Sequence, residues 1–340
     1  LRIAMTSTFA LDFFTTLSIA VVAVFLGFDL LDGKMTLLPA LTILILAPEY
    51  FLPLRNFSDD YHATLNGKNA LTDVLEMLDK PEVTQRDVLH LSTWTPTSTL
   101  SVSDMNFGYD GTLVLKNMTL QAKGYQKIAI VGESGAGKST LLNLLGGFLR
   151  PNSGDFEIDG QTIPHFAQKD WQKQFFYMPQ HPYIFHETLR DNITFYAPQA
   201  SDAAVAAAIE QAGLQSLVAT LPDGLDTVMG ESGRQVSGGQ AQRIALARML
   251  LDEQRHVLLF DEPTAHLDIE TEYELKQTIA PILANHLVFF ATHRLHWLDQ
   301  MDYVLVMRDG QIVEQGEPAV LLADSQSALN HLRSELRGGQ

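Results

Sequence analysis

Apolar residues follow two different rules on either side of about residue 100. From Phe13 to Leu31 the run FFTTLSIAVVAVFLGFDLL holds one ionisable residue, Asp29, in 19 positions. A polar break follows, Asp32-Gly33-Lys34, and a second run from Met35 to Leu54 holds only Glu49. About 20 helical residues cross roughly 30 Å of hydrocarbon, so the pattern predicts two membrane helices, 13–31 and 35–54, joined by a tight turn. The competing reading is a helical hairpin buried in a soluble protein. A signal peptide fits poorly, because the first run lacks a basic lead and a second run follows it. Arg2, Arg55 and Lys68 flank the runs while the turn offers only Lys34, which puts the turn outside and both long flanks in the cytoplasm. An ionisable group within a span marks a cavity or a partner by default. Glu49, between Pro48 and Pro53, is therefore a candidate for a transport pathway, with pairing to Arg55 near the inner interface as the alternative.

Beyond Leu54, Phe57, Tyr61, Leu65, Leu71, Val74, Leu75 and Leu78 recur at about helical spacing, so the second helix is expected to run on into water until Pro81 stops it. Residues 1–81 thus read as an all-α fragment. Residues 82–99 read as a linker, ending in the polar stretch STWTPTST from Ser92 to Thr99. From residue 100 to 340, short strand-like runs alternate with helical ones, which predicts an α/β domain.

Composition narrows the picture further. The 340 residues leave room for about two domains. At 46% hydrophobic and 19% charged the chain is not disordered. A net charge of −17 makes nucleic acid a poor partner, since phosphate backbones are held by clustered Lys and Arg. The absence of cysteine removes disulfides, thiolate catalysis and Cys-ligated metals. The chain starts at Leu1 rather than Met, and is expected to be a piece of something longer.

The strongest chemical signal follows the strand-like run Lys127–Val131. Gly132-Glu133-Ser134-Gly135-Ala136-Gly137-Lys138-Ser139 matches G-x-x-x-x-G-K-[ST] in its required strand–loop–helix setting, with Thr140 opening the helical run. Glycines let backbone N–H groups close around phosphate oxygens, and the helix N-terminus adds partial positive charge. Lys138 is placed to reach the β and γ phosphates of a nucleotide, and the Ser139 hydroxyl to ligate Mg²⁺. A second apolar run, Val257–Phe260, ends in Asp261 and Glu262, where an α/β sheet binds ligands. Asp261 is expected to hold Mg²⁺, and Glu262 to polarise the water that attacks the γ-phosphate.

Ser237-Gly238-Gly239-Gln240, followed by AQRIALAR from Ala241, resembles the signature motif of ABC ATPases, and the family's other motifs stand in family order. Tyr109 matches the aromatic A-loop, Gln180 in YMPQ the Q-loop, Asp268 in AHLD the D-loop and His293 in ATHR the H-switch. Val236 replaces the usual Leu before the signature, and His266 is unusual within the D-loop; both leave the polar chemistry intact. The resemblance implies an α/β P-loop ATPase with a RecA-like core and a helical subdomain near 183–248. It implies that Tyr109 stacks on adenine, Gln180 touches Mg²⁺ or the attacking water, and His293 holds the γ-phosphate. It also implies that Ser237, Gly238, Gly239, Gln240 and Asp268 complete the ATP site of a facing subunit. Thr227–Gly233 resembles the T-x-x-G-E-x-G loop of exporter-type members, which gives Glu231 a coupling role. Fused membrane helices agree with that type, the two seen here matching the fifth and sixth of a six-helix half-exporter.

The stretch LAPEYFLPLR (Leu46–Arg55) with Tyr61-His62-Ala63 most resembles the CydD-type half of the heterodimeric CydDC exporter family. That resemblance implies ATP-driven export of cysteine and glutathione, with a link to haem and to cytochrome bd assembly. It implies a CydC-type partner half, lipid contact, and a multi-pass place in the bacterial inner membrane with the ATPase domain in the cytoplasm. An exporter half for lipid, peptide or drug has the same engine and stays open, as does a soluble ABC ATPase acting on nucleic acid or ribosomes.

Overall fold

The computed structural model describes residues 2–79, 89–109, 111–230, 233–252, 255–264 and 267–338. The chain divides into two units, Leu1–Arg86 and Asp87–Gln340. The first is a pair of helices packed on each other, α1 (Arg2–Leu31) and α2 (Leu37–Asp79). Between them Gly33 takes φ 71°, a left-handed value that favours glycine, and Lys34 Nζ donates to the Asp32 carboxylate at 2.8 Å. Asp12–Leu31 is long and apolar enough to cross a membrane. The apolar part of α2 is shorter, Leu37–Tyr50, about 21 Å at 1.5 Å per residue, against the span of 35–54 expected from the sequence. Pro48 and Pro53 lie inside α2, and Glu49 is exposed on it. The helix continues to Asp79 as its spacing predicted; Pro81 lies outside the described residues.

The second unit opens with the antiparallel strands β1 (Thr99–Tyr109) and β2 (Thr112–Lys123), after which β3 (Lys127–Val131) feeds α3 (Lys138–Leu145). Next come β4 (Ser153–Ile158), β5 (Gln161–Ile163), the short α4 (Lys169–Gln172) and β6 (Phe175–Met178). A helical stretch follows, made of α5 (Leu189–Ile193), α6 (Asp202–Gln211), α7 (Gln215–Thr220) and α8 (Gly238–Leu250). Strand β7 (Val257–Asp261), α9 (Ile269–Ile282), β8 (Leu287–Thr292), β9 (Tyr303–Arg308), β10 (Gln311–Gly316), α10 (Pro318–Ala323) and α11 (Ala328–Gly338) complete it.

Two sheets result, a four-stranded one in the order β2-β1-β4-β5 and a six-stranded one in the order β10-β9-β3-β8-β7-β6. In the larger sheet β9, β3, β8, β7 and β6 run parallel, and β10 closes the edge antiparallel. Every residue of β7 and β8 is buried, as expected of parallel strands covered on both faces. Alternate residues serve different cores, since side chains alternate across a strand. Ala129, Val131, Leu258, Phe260, Val288 and Phe290 join one apolar cluster, and Ile128, Ile130, Val257, Leu259, Leu287 and Phe289 the other. In the helical stretch the buried Arg248 ties α8 to α5, donating from Nε to the Asn192 carbonyl at 2.6 Å and from Nη2 to the Asn192 side chain at 2.8 Å.

Strand order positions the chemistry. Beyond the C-terminal ends of β3, β8, β7 and β6, in that order, lie the glycine-rich loop, His293, the Asp261–Glu262 pair and Gln180. Four segments far apart in sequence thereby share one edge, where parallel α/β sheets bind ligands.

The supposed linker is a correction. Its polar composition hides an anchor, because Leu91 and Trp94 lie in the core and Trp94 is 2% exposed. The Trp94 indole donates to the Gly124 carbonyl at 2.7 Å, its backbone N–H donates to Gln174 Oε1 at 2.6 Å, and its ring meets Trp171 edge-on. Residues 91–98 thus belong to the globular unit. One large apolar side chain with both polar groups satisfied outweighs six small polar neighbours and a proline. Trp94→Ala is expected to destabilise the unit by about 3–5 kcal/mol; an unchanged urea midpoint would show that the segment is not part of the core.

Candidate nucleotide-hydrolysis site

The loop from Gly132 to Gly137 turns the chain from β3 into α3. Gly137 caps the helix at φ 98°, and a Cβ there would lie 2.6 Å from the Leu115 side chain, so both conformation and space demand glycine. No side chain caps α3. The first-turn N–H groups of Lys138, Ser139 and Thr140 have no intrahelical acceptor, which leaves them to a phosphate. Lys138 is only 5% exposed, and its ammonium donates to the Gly132 and Glu133 carbonyls at 3.0 and 3.1 Å. The same ammonium pairs with Glu262 Oε1 at 3.1 Å.

Asp261 ends β7. Its Oδ1 accepts from Ser139 Oγ at 2.9 Å and its Oδ2 from the Tyr177 hydroxyl at 3.1 Å. Burial pushes its carboxyl up, and the two hydroxyls pull the other way. Tyr177 is itself pushed well up, first by burial and then by Asp261, so it remains a neutral donor. Glu262 follows in a left-handed turn at φ 47°, its N–H donating to the Ala291 carbonyl at 2.9 Å. Its carboxylate is gripped on both sides, by Lys138 on Oε1 and by His293 Nδ1 on Oε2 at 3.1 Å. The His293 hydrogen bond is the largest cause, with Lys138 adding to it against burial, and together they push Glu262 down to about 2. Neighbouring carboxylates are thus driven in opposite directions, which is how environment assigns different tasks to like groups.

The structure brings Lys138, Ser139, Asp261, Glu262 and His293 together. Gln180 lies beyond β6, and its carbonyl accepts from the Gln242 amide on α8 at 2.9 Å. Tyr109 ends β1 half-exposed, with its ring edge-on to Phe107 at 4.9 Å. Ser237 caps α8 in a reciprocal capping box with Gln240, and both Ser237 and Gly238 are exposed. Gly239 is buried against α9, where a Cβ would lie 2.9 Å from Thr271 Cγ2. Asp268 caps α9, accepting from the Thr271 N–H and hydroxyl at 2.9 and 2.8 Å. The signature turn and the D-loop aspartate therefore stand beside each other, with their bonds local to their own helix ends. Glu231 lies outside the described residues. Tyr177 escaped the sequence reading. Its only signal was a polar tip in an otherwise apolar strand, two residues behind Asp261 in the β6–β7 register, where Tyr177 pairs with Leu259.

A phosphate-cradling loop, a buried lysine and two carboxylates of divided character on a parallel sheet define a P-loop nucleoside-triphosphatase. Residues 115–265 match the ABC transporter family, and the second unit is an ABC transporter ATPase domain. The chain is 52% identical over 322 residues to the glutathione/L-cysteine transport system ATP-binding/permease protein CydC of Bacillus subtilis, covering 95% of this chain and 56% of that protein. It is 35% identical over 330 residues to the similarly named CydD of Escherichia coli, covering 94% and 56%. By identity, the likeness expected to a D-type half is the weaker of these two. A bacterial Atm1-family ABC exporter with ATP bound superposes at a TM-score of 0.68 and 29% identity, over 97% of this chain and 57% of that one. The chain spans a little over half the length of the relatives it matches.

Two outcomes follow from the carboxylates. Tyr177→Phe strips a donor from a buried Asp261 oxygen and is expected to destabilise the protein by about 1–3 kcal/mol; urea unfolding identical to wild type would disprove the bond. Glu262 stands at about 2 against an ordinary 4.5, so its stabilising contribution is full above pH 4.5 and disappears as pH falls towards 2. Between pH 5 and 3 the wild type should therefore lose more thermal stability than Glu262→Gln, and parallel melting curves would contradict this.

Proposed function

We propose that this chain hydrolyses ATP to drive export across a bacterial inner membrane as one half of a heterodimeric ABC exporter of glutathione and cysteine. The observation that carries the reading is the single crevice in which Lys138, Ser139, Asp261, Glu262 and His293 meet. Lys138 is satisfied by loop carbonyls and Glu262. Incoming β and γ phosphates offer that ammonium a stronger acceptor, which frees one Glu262 oxygen to receive a proton from water while His293 steadies the other. A carboxylate this acidic is a weak base by itself; its value lies in being ionised and aimed where the water stands. Ser139 and Asp261, 2.9 Å apart, would hold Mg²⁺ together with Gln180, since all three offer the oxygen donors that suit that ion. That ion would neutralise charge on the phosphates. Tyr109 offers a half-exposed ring to adenine.

The exposed Ser237 and Gly238 at the start of α8, beside Asp268, favour a second half as the other wall of the nucleotide site, since a helix N-terminus open to solvent suits an anion held by a partner. Cargo follows the relatives' names: 52% identity to a glutathione/L-cysteine transport protein outweighs 30% to an ATP-dependent lipid A-core flippase. Haem handling, support of cytochrome bd assembly, a coupling role for Glu231 and a pathway role for Glu49 belong to the same proposal. Asp12–Leu31, long and apolar enough to cross a membrane, supports membrane insertion.

The test is Glu262→Gln in the complete exporter reconstituted in lipid vesicles. ATP binding should persist while turnover and ATP-driven glutathione uptake both fall at least about 100-fold. Near-normal turnover would remove Glu262 from the role of base, and ATP turnover in the wild type without thiol uptake would remove the cargo.

A further inference from the structure

Behind the catalytic crevice lies a cluster of charged side chains that the reaction itself does not use. Glu272, in the first turn of α9, is 5% exposed. Its Oε1 accepts from Thr264 Oγ1 at 2.8 Å and lies 3.2 Å from His296 Nε2, and its Oε2 pairs with the Arg294 guanidinium. A second nitrogen of Arg294, Nη2, donates to the Leu267 carbonyl at 3.2 Å. A carboxylate this buried is tolerated only when its oxygens are met by charge and hydrogen bonds, and here the Thr264 hydroxyl donates to one oxygen while the Arg294 guanidinium pairs with the other.

Thr264, Arg294 and the Leu267 carbonyl that accepts from Arg294 come from three segments, and each adjoins a group of the site. Thr264 stands two residues after Glu262, Leu267 immediately before Asp268, and Arg294 immediately after His293. Thr271, the residue before Glu272, lies against Gly239 of the signature turn. One carboxylate and one guanidinium thus tie together the loop carrying the base, the loop carrying the phosphate-binding histidine and the turn that faces outward.

We propose that Glu272 and Arg294 form a positioning brace that keeps His293 and Glu262 aligned and links that alignment to the placement of Asp268. The pair touches no reacting atom. It acts through His293, whose backbone it fixes from the next residue, so the brace governs the chemical step and leaves nucleotide binding at the glycine-rich loop alone. This rests on ATP hydrolysis at the crevice described above.

The experiment compares wild type, Glu272→Gln, Arg294→Lys and Thr264→Val in the complete exporter in lipid nanodiscs. It measures binding of a fluorescent ATP analogue together with kcat and KM for ATP. Small misplacements of catalytic groups lower rates by up to about 100-fold. Glu272→Gln is therefore expected to lower kcat about 10-fold or more with nucleotide affinity within about 2-fold. Arg294→Lys, which keeps the charge and loses the second arm to Leu267, should give an intermediate kcat, and Thr264→Val a smaller loss of the same kind. In a His293→Ala background the effect of Glu272→Gln should shrink below about 2-fold, because groups acting as one unit are not additive. The brace is overturned if kcat stays at the wild-type value in Glu272→Gln, if affinity and kcat fall together in all three variants, or if the full loss persists without His293. Should Glu272→Gln not fold, an unaltered kcat in both Arg294→Lys and Thr264→Val overturns it equally. Wild-type protein that binds ATP without hydrolysing it would overturn the underlying function and the brace with it.

Discussion

The grip of Lys138 and His293 on the two oxygens of Glu262 is the contact on which the rest of the site depends. It requires the P-loop, the carboxylate pair and the histidine loop to lie side by side, which they do because β8 stands between β3 and β7. A different strand order would leave the same motifs intact and the chemistry impossible. The continuous burial of β7 and β8 fixes that order energetically, since either strand at an edge would expose a fully apolar face to water.

Two adjacent carboxylates acquire different characters from surroundings a few ångströms apart. Asp261 faces hydroxyls in a buried niche and is pushed up; Glu262 faces an ammonium and an imidazole and is pushed down. The hydroxyls hydrogen-bond both Asp261 oxygens, while the Lys138 ammonium and the His293 hydrogen bond keep Glu262 ionised. The left-handed turn at Glu262, held by its N–H on the Ala291 carbonyl, aims the second carboxylate away from the first. Without that turn, alternation along the strand would decide where it points.

Most of the site was legible because phosphate binding is a backbone task. Glycines at set intervals followed by Lys138 and Ser139 state the loop conformation outright, and the apolar runs before Gly132 and Asp261 announce the strands that carry them. Ser237 and Asp268 were visible through their resemblance to family motifs, and the structure adds that both cap helices. Trp94 was not, because polar neighbours gave its segment the composition of a linker while a single buried indole decided its place. Glu272 and Arg294 gave no sign either, and Tyr177 only the faint one of a polar tip in an apolar strand. Their partners lie 8, 22 and 84 residues away across strands and turns, and no local periodicity encodes such contacts.

By itself the sequence determined the nucleotide loop, the two carboxylates, an apolar α-helical start and an α/β body, each written in residue types and short spacings that constrain the backbone locally. Only the tertiary structure decided which carboxylate takes the lysine and which the hydroxyls, that the stretch before residue 99 is core, and that a buried glutamate joins three catalytic loops. The physical reason is range: backbone preferences act over a few residues, whereas the desolvation and pairing of charges are set by whichever strands the fold makes neighbours.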